Sequence, residues 1–227
     1  MCGRFVLTSP PDVLAALFRL EYVPTLSPRY IIAPTQPVPA VRVSGEASRA
    51  LSMLHWGLLP VWAKDKSIGS RLINARAETV AEKPAFRNAF RRRRCLIPAD
   101  GFYEWQKRGS EKQPHYIHRA DGEPLAFAGL WERWEKGEEP IESCTILTTE
   151  PNALMAELHN RMPVVVEPED FARYLDPELA GEAVADLLRP AAEGVLTAYP
   201  VTRHVNTPSA AGRSRSATAS PANSGSR

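Results

Sequence analysis

A cysteine stands second in the chain, in the run Met1-Cys2-Gly3-Arg4-Phe5. Removal of an initiator methionine, usual before a small residue, leaves that cysteine with a free α-amine and a thiol on adjacent carbons. An internal cysteine offers only its sulfur, because its nitrogen is an amide without a nucleophilic lone pair. The terminal form is a vicinal aminothiol: the amine condenses with an aldehyde, and the thiol then closes a five-membered thiazolidine ring. Ordinary pKa values of about 7.7–8.0 for the amine and about 8.5 for the thiol leave useful fractions of both nucleophiles near neutrality. Position alone does not establish this chemistry, since a cysteine in second place can be an accident of a frayed end. Other segments must supply its partners.

Three further segments place polar residues where a strand or tight turn does not ask for them. Asn74-Ala75-Arg76-Ala77-Glu78 follows the apolar pair Leu72-Ile73. Gly101-Phe102-Tyr103-Glu104-Trp105 is an aromatic strand interrupted by one carboxylate. His159-Asn160-Arg161-Met162-Pro163 ends a helical stretch. Each has an ordinary reading beside the chemical one. Asn74 can satisfy loop backbone groups, Glu104 can be the outward residue of a half-exposed strand, and His159 can be a helix-end cap. Arg76 and Arg161 can be plain surface arginines, and Trp62, next to Lys64, can be a stacking residue or a core tryptophan.

Taken together, the segments resemble a known family. Met1-Cys2-Gly3-Arg4-Phe5, Ala33-Pro34-Thr35-Gln36, Trp56-Gly57-Leu58, Trp62-Ala63-Lys64, Asn74–Thr79, Arg94–Ala99, Gly101–Trp105 and His159–Pro163 look like the signatures of the abasic-site processing proteins, also called SOS response-associated peptidases, or SRAP proteins. The resemblance runs in order from Cys2 to about Asn206. It implies capture of abasic sites in single-stranded DNA as a covalent crosslink to Cys2, within the response to DNA damage. Asn74 would position the cysteine, Glu104 would open the sugar and transfer protons, and His159 would hydrogen-bond the open sugar. Arg4, Arg76 and Arg161 would hold flanking phosphates, and Trp62 would stack or wedge. The peptidase label implies self-removal of Met1. No cofactor and no metal are implied. The expected partners are DNA and proteins of the replication fork, for a monomer of the cytoplasm, nucleoid-associated in a bacterium. One departure stands out: Thr207-Pro208-Ser209-Ala210 follows Val205-Asn206 where the family has an Asn-Asp-Gly-Pro-rich segment.

The required chemistry can be checked without the family name. Opening an abasic deoxyribose needs a proton shuttle, work for a carboxyl group in a partly apolar pocket such as Glu104 would occupy. The aldehyde then meets the amine and forms an imine. With a thiol two atoms away, ring closure competes with strand-cleaving elimination at high effective molarity. Other chemistries remain open on residue types alone. N-terminal-nucleophile amidotransferases also begin Met-Cys-Gly, although their Asn-Gly pair is missing from this chain. A Cys2–His159 thiol peptidase, or a DNA-binding module in which Cys2 is incidental, would use the same residues.

The elements that must position these groups are legible in outline. Pro and Asp near the start of Ser9–Phe18 predict a helix capped at Ser9. Strands are expected over Val38–Val43, Ala50–Trp56, Cys95–Pro98, Phe102–Gln106, His115–His118, Leu125–Trp131, Cys144–Thr148, Met162–Val166 and Leu196–Val201. A turn is expected at Ser44-Gly45-Glu46 and a hairpin turn at Asp121-Gly122. Helices are expected over Pro151–His159, starting near Thr149 or Glu150, and over Phe171–Leu175 and Pro177–Leu188. Mostly antiparallel strands without a βαβ rhythm argue an α+β fold with a rolled or barrel-like sheet and peripheral helices. Residues 1–206 form the expected domain, and 207–227, a Ser/Ala/Gly/Arg/Pro segment, is expected to be disordered.

Composition narrows the remaining classes. A chain of 227 residues with a 44% hydrophobic fraction and five tryptophans can bury a substantial core. No signal-like or membrane-length apolar run is present, the first apolar stretch being broken by Arg19. Three cysteines without metal spacing suit a reducing cytosol. Arg203–Arg227 holds four arginines and no acid, so the body carries 24 basic and 26 acidic residues, a net charge of −2. Phosphates must therefore be held by local patches. One candidate is Arg87 with Arg91-Arg92-Arg93-Arg94, which can equally be a solvated face.

Overall fold

The alternating stretches become strands, and three short strands invisible to that pattern join them. In chain order the strands are β1 (Phe5–Leu7), β2 (Arg29–Ile32), β3 (Pro37–Ser44), β4 (Ser48–Trp56), β5 (Asn74–Arg76), β6 (Arg94–Ala99), β7 (Gly101–Arg108), β8 (Glu111–Arg119), β9 (Leu125–Trp134), β10 (Ile141–Thr149), β11 (Met162–Pro163) and β12 (Leu196–Pro200). The helices are α1 (Pro11–Phe18), α2 (Arg87–Arg92), α3 (Ala153–Ala156) and α4 (Phe171–Leu175). The computed structural model describes residues 2–44 and 48–206. The Gly45-Glu46 part of the expected turn and the expected disordered segment 207–227 lie outside the described residues.

Five strands close into a barrel in the order β10-β4-β3-β6-β9, with β9 pairing back onto β10. Every seam is antiparallel except β4–β10, a short parallel seam at Ser143↔His55 and Cys144↔Trp56. Beyond it β5 continues along β10, again parallel, from Ile146↔Asn74 to Thr148↔Arg76. The second sheet runs β12-β8-β7-β1-β2. The α+β expectation with a barrel-like sheet therefore holds. Among the described residues, no helix is long and apolar enough to cross a membrane, and no cluster of three or more His, Cys, Asp or Glu could hold a metal ion.

An aromatic cluster joins the sheets. Phe5 packs edge-on against Trp56 at 5.3 Å and against Phe127 at 6.1 Å, and Phe102 meets Phe127 at 5.8 Å. All four rings are fully buried. Burying one such side chain contributes about 1.5–3 kcal/mol, so β1 is anchored although it is only three residues long. Trp56 also donates from Nε1 to the Ile73 carbonyl at 2.9 Å, which sets the chain entering β5. At the end of β4, Gly57 adopts φ +136°, and a Cβ there would lie 2.6 Å from the Gly69 carbonyl oxygen. Only glycine lets β4 turn out this close to the 3-10 segment Lys66–Arg71.

Several local expectations are corrected. Asp121-Gly122 makes a turn, but it carries the chain from β8 in one sheet to β9 in the other. The two-residue hairpin is instead Gly109-Ser110, between β7 and β8, with Gly109 at φ +60° as such turns require. Ser9 does not cap α1: its hydroxyl donates to Asp100 at 2.5 Å, and Asp100 also takes Thr8. The helix expected over Pro151–His159 contracts to α3, capped by Asn152, whose Oδ1 accepts from the Met155 N–H at 3.0 Å. Pro177–Leu188 forms 3-10 turns over Gly181–Leu187 instead of an α-helix. The strand expected over Met162–Val166 keeps only its first two residues, with Val165 bridging singly to Phe127.

Candidate nucleophile site

Cys2 lies immediately before β1 and is fully buried. Its carbonyl accepts a hydrogen bond from Asn74 Nδ2 at 2.8 Å. Asn74 opens β5, so the strand laid along β10 fixes the amide that holds the cysteine. The other half of that amide, Oδ1, is buried and accepts no hydrogen bond among the described residues.

Glu104 sits on β7, which pairs with β1 at Phe5↔Phe102 and Val6↔Gly101. It is only 2% exposed, so the outward-facing reading is excluded. Strand alternation puts it on the Phe102 face, toward the cysteine, whereas Tyr103 and Trp105 pack on the opposite face around Val6 and Val205. The aromatic neighbours in sequence thus do not enclose the carboxylate. Burial pushes the Cys2 thiol well above its ordinary range, the Glu104 charge pushes it further, and a backbone hydrogen bond from Arg4 acts the other way. The thiol is thereby held protonated.

His159 follows α3, its N–H donating to the Met155 carbonyl at 2.7 Å. Its Nδ1 accepts from the Arg161 N–H at 3.0 Å, which in the neutral ring leaves the proton on Nε2. Gln106 donates to the Glu157 carbonyl at 2.9 Å and ties the Glu104 strand to this segment. Arg161 is engaged internally: it grips Glu78 with both terminal nitrogens, at 2.6 and 2.9 Å, and donates to the Thr148 carbonyl at 2.6 Å. Arg76, opposite Thr148 on β5, is exposed and makes no side-chain hydrogen bond or ion pair among the described residues. The structure therefore separates two arginines that the sequence treats alike.

Arg4 lies 5.4 Å over the Trp105 ring and donates to the Val205 carbonyl. Trp105 in turn donates to Asn206 Oδ1 at 2.8 Å. The Val205-Asn206 pair thus closes this edge of the site despite the unusual sequence after it. Trp62 stands apart: it is half exposed, and its indole donates to the Pro84 carbonyl at 3.3 Å with no contact to the other candidates. Two residues escaped the sequence reading. Glu78 fixes Arg161, and its place in the Asn74–Glu78 run was the available signal. His115 is buried opposite Glu104 across β7–β8, and burial lowers its pKa; nothing in the sequence marked it.

Comparison with known proteins matches this arrangement to a family. The family model for SOS response associated peptidase (SRAP) matches residues 1–208. The chain belongs to the SRAP family. The abasic site processing protein YoqW of Bacillus subtilis is 42% identical over 214 residues, covering 92% of this chain and 95% of that protein. The abasic site processing protein YedK of Escherichia coli is 34% identical, covering 90% and 94%. A crystal structure of a protein from Bacteroides thetaiotaomicron superposes with a TM-score of 0.82 at 26% identity, over 94% of this chain and all of that one.

The SRAP site has the parts for addition to an electrophile in a buried setting. Cys2 supplies the sulfur, Glu104 a carboxylate whose charge acts on it, and Asn74 fixes the Cys2 backbone. Such fixed geometry raises effective concentration without any further activation.

Proposed function

We propose that the protein captures abasic sites in single-stranded DNA by forming a thiazolidine at Cys2, so that the lesion is shielded and the strand stays intact. The observation that carries this reading is the buried Cys2 held by Asn74 through its carbonyl, with the Glu104 charge acting on its thiol. Relatives named as abasic site processing proteins, at 34% identity and above, support it.

The steps balance as follows. Met1 leaves first by hydrolysis of its peptide bond, in self-cleavage or through another peptidase, and frees the Cys2 amine. Asn74 Oδ1 is placed to accept from that amine. Glu104 moves protons as the closed sugar opens to its aldehyde, whose hydroxyl His159 Nε2 can steady. The amine adds to the aldehyde and water leaves, giving an imine. The sulfur adds to the imine carbon; its proton passes through Glu104 to the nitrogen, and no oxidant is needed. Lyase-type elimination from the imine is the side path that ring closure outcompetes. Arg4 and Arg76 flank the site as phosphate contacts of a single strand.

The test is a denaturing gel of the protein mixed with uracil-containing single-stranded DNA treated with uracil glycosylase. A shifted, heat-stable band is expected with the lesion and not with intact DNA. Lack of that band with protein shown by mass to lack Met1 would overturn the reading.

A further inference from the structure

The arginine run 87–94 is split by the fold. Arg94 is internal: its guanidinium donates to the carbonyls of Phe90, Arg91, Tyr174, Asp176 and Leu179, closing the C-terminal ends of α2 and α4. Arg93 pairs with Glu132 at 2.9 Å. Arg87, Arg91 and Arg92 are different. All three are exposed on α2, and their side chains make no hydrogen bond or ion pair among the described residues. Elsewhere Arg42, Arg119, Arg161 and Arg173 are all matched with carboxylates. Three arginines without such partners thus stand together on one short helix.

These arginines border neighbouring clefts that share lining residues. A cleft of about 460 Å³ is lined by Asn88, Arg91 and Arg92 on one wall and Glu178 on the other. A second, of about 270 Å³, shares Asn88 and Arg91 with it and adds Arg87 and Ala81. A third, of about 350 Å³, shares Ala81 and reaches Ala77, Glu78 and Thr149. Glu78 holds Arg161 and lies two residues beyond Arg76. Shared lining residues thus link the clefts in turn, from Ala77 and Glu78, past Ala81, to the face of α2. Arg87 and Arg91 are four residues apart, so they stand one above the other on that face, about 5–6 Å apart at Cβ.

We propose that this groove is a second phosphate-binding track, which takes the sugar–phosphate backbone of the strand beyond a lesion held at Cys2. The proposal rests on the abasic-DNA reading above. Its own support is the three exposed guanidinium forks, unpaired among the described residues, which border clefts that share lining residues and suit phosphate oxygens. A body with net charge −2 has no general field to hold DNA, so such a patch supplies attraction where the strand must run.

The test compares wild type with an Arg87→Ala, Arg91→Ala, Arg92→Ala triple variant. Affinity for long undamaged single strands is measured across salt, and crosslinking is timed on short and long lesion-bearing oligonucleotides. The triple variant should flatten the log–log salt slope by about 0.7 per lost contact, about 2 in all. Between roughly 50 and 200 mM salt, wild type then loses about 20-fold more affinity than the variant. The variant should need more of the long oligonucleotide for half-maximal crosslinking, with an unchanged maximal rate and no change on the short one. An Arg→Lys triple, which keeps the charge, should retain the wild-type slope and serves as reference if the Ala triple melts lower. An unchanged slope, or a loss confined to binding of a poly-glutamate peptide, would overturn the track. Failure of wild type to crosslink would instead overturn the reading of Cys2, while the slope measurement would still judge the groove.

Discussion

The cysteine pocket and the arginine groove use polar groups in opposite ways. In the pocket the groups are held: the buried Cys2 by Asn74, Arg161 by Glu78, and the thiol under the charge of Glu104. In the groove, Arg87, Arg91 and Arg92 stand exposed and unheld. Bond formation at one sulfur and one nitrogen demands fixed geometry, whereas attraction between guanidinium and phosphate tolerates motion and survives side-chain freedom. If the proposed function holds, fixed residues set the rate and loose ones the grip, so the two should fail in distinguishable assays.

The largest effect should come from the α-amine. Protein that keeps Met1, or whose Cys2 is acetylated, should give no stable adduct although its thiol is intact. Cys2→Ser should leave only a labile imine trappable with borohydride, as intact-mass spectrometry would record. A stable adduct on Met1-bearing protein would mean simple thiol addition and would break the comparison at its centre.

Next in size is Glu104→Gln, which should slow single-turnover crosslinking by about 10²-fold or more and leave binding to undamaged strands unchanged. Because the Glu104 charge raises the thiol pKa, the same variant should alkylate faster at Cys2 with a neutral reagent at mildly alkaline pH. Slower alkylation would place the carboxylate away from the sulfur.

Alkaline pH should strain the pocket and spare the groove. Burial raises the Cys2 and Cys144 thiols and pushes Cys95 up to about 12. Groups whose folded pKa exceeds the unfolded one stabilise fully below the unfolded value. That stability drains away as pH rises from about 8.5 toward the folded value, at about 1.4 kcal/mol per thiol per pH unit. Thermal melts between neutral pH and pH of about 10 should show Tm falling only above roughly 8.5, and a flat profile would contradict the burial.

The smallest effects separate the paired arginines. Arg76→Ala should flatten the salt slope by about 0.7. Arg161→Ala, which breaks a partly exposed pair, should cost about 1 kcal/mol of stability and change the slope less. Equal slopes for both would show that Arg161 lets go of Glu78 to meet DNA.

Much of this was readable in the residues because chemistry is local. Cys2, Asn74 and Glu104 announced themselves as polar residues inside apolar runs, and the long strands β3, β4, β9 and β10 by their alternation. What stayed hidden depends on partners far along the chain. β1, β2 and β5 are too short to show a period, and exist because Phe5 packs on Trp56 and Phe127 and because β10 offers an edge. Arg94 reads as one more charge in a basic run, since nothing local reveals the five carbonyls awaiting it. The faces of β7 were likewise ambiguous until pairing with β1 directed Glu104 inward.

The bond from Arg4 to the Val205 carbonyl spans 201 positions. It gives the protein a timetable. Arg4, two residues after the cysteine, is clasped by a segment near the far end of the fold, and the strand that follows it pairs with β7, midway between them. Contacts this distant in sequence form late, after local strands have condensed. Until they form, Cys2 is without Asn74, Glu104 and the closing carbonyl, so the pocket is completed only with the fold as a whole.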